Sequence, residues 1–185
     1  MTWRPGDPDP YLDLSDGARL AEQVAARRER RDRLERASEV ATWEGTLEDL
    51  VERQPVVSLR LAGGRSRRGR LVGLGRDHLA IRAASGQLAL VRVAAVRSLR
   101  PEPGEPAPVA TGDRARSSGR LMLEVLDEAL VERERLVAIL ADVPDPVTGL
   151  LLGVGEDVLT LRLDAAADGV LYLPVGAITE LVLDG

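Results

Sequence analysis

Hydrophobic spacing changes period repeatedly along the chain. In "GTLEDLVERQ", Leu47, Leu50 and Val51 recur at i, i+3 and i+4, which predicts a short amphipathic helix. Thr46 is placed to cap its start, with Asp49 three residues on, and Gln54-Pro55 ends it. Strict alternation follows. Val57, Leu59 and Leu61 face one way and Ser58 and Arg60 the other, the signature of a half-buried strand. "AGGRSRR" reads as a turn, "GRLVGL" as a second strand and "GRD" as a second turn. "HLAIRA", "QLALVRV" and "VRSLR" complete five predicted strands.

The pattern then occurs again. Leu50–Arg82 aligns with Leu130–Arg162 at an offset of 80 without a gap. "LVER" is identical in both, as are the pairs Gly69/Gly149, Leu71/Leu151, Asp77/Asp157 and Leu79/Leu159. A two-residue insertion raises the offset to 82, and Val93/Val175, Ala95/Ala177 and Leu99/Leu181 then match. A repeat of this length implies two copies of one structural unit, each a helix followed by five strands. Such units, near 50 residues, are marginal alone. Closing each into a barrel would remove its edges. The expected fold is therefore mainly β with flanking helices: a tandem repeat of two small five-stranded SH3-like barrels, each preceded by a helix. Residues 1–45 form a polar start and a charged helix, 46–100 the first barrel, 101–119 a Pro-rich linker, and 120–185 a helix plus the second barrel. Ser117 or Ser118 is placed to cap the helix that opens the second copy.

Charge separates the two copies. The whole chain carries −5, but residues 50–100 carry +9 and residues 130–185 carry −7. The first unit is basic and the second acidic. Lys, Asn, Cys and Phe are absent, so disulfides and thiolate chemistry are excluded. The start of the chain does not resemble a signal peptide, and no apolar run reaches the ~18 residues of a membrane span. A soluble, cytoplasmic protein is expected.

The residues of the first copy resemble the Sm/LSm group, bacterial Hfq in particular. Leu50, Pro55, Val57, Leu59, Gly64, Gly69, Leu71, Asp77, Leu79, Ile81, Ala95, Val96 and Pro101 carry the likeness. The second copy keeps Leu130, Val137, Gly149, Leu151, Asp157, Leu159, Leu161, Ala177 and Ile178. The chain also resembles two-barrel proteins of actinobacteria. The resemblance implies a small SH3-like barrel. It transfers no RNA-pocket residue: there is no Asn, Val93 and Ala94 stand where Hfq has Lys-His, and Tyr172 is the one aromatic in either unit.

Candidate chemistry is sparse. His78 is the only histidine and reads as a half-exposed strand residue. Asp77 and Asp157 recur at equivalent turns, which favours turn chemistry over a catalytic carboxylate pair. No metal-ligand cluster, cofactor motif or small-molecule site is expected, and the chain reads as a non-enzyme. The prominent feature is the run of Arg60, Arg65, Arg67, Arg68, Arg70 and Arg76 around one turn. The second copy has "ADVPDPVTG" there, so the fold does not require those arginines. The sequence therefore predicts a non-catalytic interaction module or scaffold, binding a protein partner or itself through basic/acidic complementarity. The alternative is a weakly sequence-specific RNA- or DNA-binding protein using the Arg-rich turn.

Overall fold

The computed structural model of the chain describes residues 10–39, 41–104, 119–132, 134–164 and 169–184. Helix α1 (Pro10–Glu39) is highly charged, and its described side chains face solvent. Its Arg31–Glu35 pair, 2.8 Å apart, has the i, i+4 spacing of neighbours on a helix face. Helix α2 (Trp43–Arg53) starts one turn earlier than the sequence suggested. Thr42, not Thr46, is its N-cap, accepting from the Gly45 N–H at 3.0 Å. The Thr46 hydroxyl donates back to the Thr42 carbonyl at 2.8 Å instead. Gln54 takes the left-handed conformation at φ 48° and ends the helix, its N–H donating to the Leu50 carbonyl. Helix α3 is Met122–Glu132; the expected caps Ser117 and Ser118 lie outside the described residues.

Ten strands follow the predicted alternation. The first repeat supplies β1 (Val56–Leu61), β2 (Ser66–Leu74), β3 (His78–Arg82), β4 (Leu88–Arg92) and β5 (Val96–Pro101). The second supplies β6 (Arg135–Leu140), β7 (Val147–Val154), β8 (Val158–Leu163), β9 (Val170–Pro174) and β10 (Ile178–Asp184). The repeat extends to irregularities. Register shifts between Leu71 and Gly73 in β2, and between Leu151 and Gly153 in β7. Gly69 and Gly149 sit where a Cβ would come within 2.6 Å of the Arg82 carbonyl oxygen and 2.5 Å of the Arg162 one, so the close strand crossing requires glycine in both copies.

The expectation of two closed five-stranded barrels is corrected. All ten strands form one open antiparallel sheet in the order β5-β1-β2-β3-β4-β10-β6-β7-β8-β9. The two halves meet where β4 pairs with β10, Leu181 opposite Leu90 and Val182 opposite Ala89. The reason lies in the apolar side chains. Leu90, from the first repeat, is 1% exposed within the core built mainly by the second, among Met122, Leu126, Leu136 and Leu181. Val182, from the second repeat, joins the first repeat's core with Leu59, Leu71, Leu79 and Ile81. Each core needs side chains from the other repeat. Units of this size bury a low fraction of their surface alone, and the exchange adds an apolar side chain to each core.

The exchange makes two outcomes measurable. Leu90→Ala should cost about 2–5 kcal/mol through the cavity it leaves. The loss should fall on both repeats, as one urea transition with a lowered midpoint rather than two transitions of which one moves.

Candidate interaction surface

Alternation aims three strands of the first repeat at one outer face. On β1 the outward residues are Ser58 and Arg60, on β2 Ser66 and Arg68, and on β5 Ser98 and Arg100. The register sets Ser58 opposite both Arg68 and Arg100, and Arg60 opposite both Ser66 and Ser98. Arginine and serine therefore alternate in both directions across three strands. Together these residues line a groove of about 430 Å³. Arg60 has no partner among the described residues, whereas Arg68 and Ser58 share Glu102. The Ser58 hydroxyl donates to Glu102 at 2.5 Å, and Arg68 Nε lies 3.3 Å from the same oxygen. Those two hydrogen bonds hold the Glu102 carboxyl below its ordinary range. The face already holds one carboxylate at its margin.

The remaining arginines of the predicted cluster go elsewhere. Arg67 forms an ion pair with Glu180 of β10, whose side chain is 3% exposed. Arg65 Nη2 donates to the Pro144 carbonyl in the turn between β6 and β7. Both reach across the seam into the acidic repeat. Gly63, at φ 77°, lets the same turn approach; a Cβ there would lie 2.5 Å from the Ala141 carbonyl oxygen. Arg70 Nη1 donates to the Gln54 carbonyl at 2.8 Å, at the negative end of α2. The exposed Arg76 lies in the β2–β3 turn, where its backbone N–H donates to the Arg120 carbonyl at 3.0 Å. The sequence treated the six arginines as one patch. The structure leaves Arg60 and Arg68 on the outer face, joined by Arg100 and three serines that charge counting did not single out.

Burial sets the electrostatics of the seam. Desolvation pushes the Glu180 carboxyl above its ordinary range, against the opposing pull of Arg67 and Arg65. Arg92 adds a neutral contact, donating from Nη1 to the Val175 carbonyl at 2.7 Å.

His78 is buried, not half-exposed as its strand position suggested. Its Nδ1 lies 3.1 Å from Asp77 Oδ1, and the same oxygen accepts from the Met122 N–H at 2.8 Å. Asp77 thus caps the N-terminus of α3 from the other repeat, a use beyond its own turn. Burial opposes its charge. The bonds from His78 and Met122, with the nearby His78 and Arg92 charges, outweigh that and leave its carboxyl below the ordinary range.

Among the described residues, no three acidic or histidine side chains converge as a metal site. Among the described residues, no helix is long and apolar enough to cross a membrane. No protein-family model matches the chain, and no curated protein matches it.

Two predictions follow the buried charges. Glu180→Ala strands Arg67 at the seam and should cost about 3–5 kcal/mol in urea denaturation, whereas Arg67→Met with Glu180→Met should recover most of it. The depressed Asp77 carboxyl stabilises the fold above its ordinary value of 3.8, and that contribution is lost as pH falls through the lower folded value. Asp77→Asn should therefore flatten the acid limb of a stability–pH curve relative to the parent chain.

Proposed function

We propose that this chain is a non-catalytic interaction module or scaffold that joins surfaces of opposite charge. The observation carrying this reading is the seam itself. A basic repeat and an acidic repeat meet there through a strand pairing flanked by Arg67–Glu180 and Arg65–Pro144 contacts. Charge complementarity is therefore already used once within the molecule. A second set of opposite charges faces outward: Arg60 and Arg100 on the first repeat, Asp142 and Asp145 on the β6–β7 turn of the second. The Sm-like resemblance belongs with this proposal, supported by the helix and five antiparallel strands of each half. Light scattering of nucleic-acid-free protein over a salt series tests it. A mass above the 19.9 kDa of one chain at low salt, falling as salt rises, is expected. A single-chain mass at every salt concentration would remove self-association.

The Arg/Ser face supports a second reading, a phosphate-backbone contact of low sequence specificity. Three phosphate contacts on a single strand would give a slope of log K against log salt of about −2, from roughly −0.7 per contact. Arg60→Ala/Arg68→Ala/Arg100→Ala should abolish binding of a labelled oligonucleotide if this reading holds. Unchanged binding would exclude it.

A further inference from the structure

Helix α1 is not packed on its own chain. Every described side chain along it is exposed, with Leu20 at 64% and Val24 at 41%. Leu20, Val24, Arg27 and Arg31 recur at i, i+4, i+7 and i+11, so they share one face of the helix. That face is apolar first and basic afterwards. Residues 27–36 hold six Arg against three acids, a net of +3.

The second repeat carries a groove that this face fits. Leu130 of α3, Leu150 and Leu152 of β7 and Arg162 of β8 border a cavity of about 420 Å³. Val131, next along α3, is 83% exposed. The first repeat differs at the same places. Arg70 stands at the position of Leu150, and its guanidinium donates to the Gln54 carbonyl. Val51, the counterpart of Val131, packs against the first core. The repeat fold therefore does not require bare apolar side chains here, and their exposure marks a contact surface.

Charge around the groove has the opposite sign to that of α1. Residues 120–134, which include α3, hold two Arg against five acids, a net of −3. Asp127, one turn before Val131, is exposed. Just past α3, Glu134 Oε2 is buried with no hydrogen-bond partner among the described residues. Burial and the neighbouring Glu132 hold its carboxyl above the ordinary range. A guanidinium brought to this end of the groove would relieve that repulsion.

We infer that α1 of a second copy of this chain lies in this groove. Leu20 and Val24 meet Leu130, Val131, Leu150 and Leu152, and Arg27 and Arg31 lie over the acids of α3. An amphipathic helix laid in an apolar groove is a recurring mode of recognition. This rests on the scaffold reading above and names the segment and the site that join the copies. The second copy is the occupant because α1 seated in its own groove would bury Leu20 and Val24, and both are exposed.

Thiol cross-linking tests the contact, because the chain has no cysteine. Val24→Cys protein mixed with Val131→Cys protein should give a mixed dimer with a short bismaleimide. Ala26→Cys, on the other side of α1, should give several-fold less. Val24→Glu keeps a good helix former in α1, and Val131→Arg lies at an exposed position. Each should lower the fraction assembled at low salt several-fold in light scattering. Arg27→Glu should do the same, and adding Asp127→Arg to it should restore assembly. A chain carrying both Val24→Cys and Val131→Cys that cross-links within itself, without dimer, would overturn the second copy as occupant. Assembly at low salt unchanged by all of these substitutions would overturn the docking and leave the scaffold reading standing. A single-chain mass at all salt concentrations would overturn both.

Discussion

The pairing of β4 with β10 is the interaction on which the rest of the molecule depends. Backbone amides on two edges that would otherwise be open bond to each other. More consequentially, the pairing sends Leu90 into one core and Val182 into the other. Remove it and each repeat has both an exposed edge and a hole. The contacts around it are secondary in the literal sense that they require the strands to be aligned first. Arg67 of β2 reaches Glu180 only because the pairing with β4 seats β10 beside the first repeat. Asp77 caps α3 only because the second repeat is seated against the β2–β3 turn.

The seam also explains an unusual use of charge. Burying Glu180 at 3% exposure is costly, and the Arg67 guanidinium opposes that cost. Removing one member of a buried pair of this kind leaves the other charge without its partner. An arginine at position 67 opposite a glutamate at 180 favours the joint between unlike repeats over one between like repeats.

Much of the architecture could be read from the chain. The period-two runs placed the strands, and the 80-residue offset showed that the second half repeats the first. Gln54-Pro55 marked the end of α2. What could not be read was which edges meet. Alternation determines the face a side chain occupies, but an edge strand looks the same whether solvent or another strand lies beside it, so β4·β10 left no trace in the periodicity. The same limit divided the arginine cluster. Arg67 and Arg68 are adjacent in sequence on β2, yet one pairs with the buried Glu180 of the second repeat and the other with Glu102 at the outer face. His78 read as half-exposed because Arg120 and Met122, which close over its turn, come from more than forty residues away. Thr46 resembled a cap because Thr42, one turn earlier, offers the same chemistry.

Fourteen residues join Gly104, just beyond β5, to Gly119, which lies against Gly75 in the β2–β3 turn. That covalent connection makes the two repeats of one chain neighbours before any contact forms. A tether of this length corresponds to an effective concentration of roughly millimolar, far above that of free protein in most settings. The joint within the chain therefore fills without depending on protein concentration. The connection makes the β4–β10 pairing a property of the single chain, which dilution does not undo.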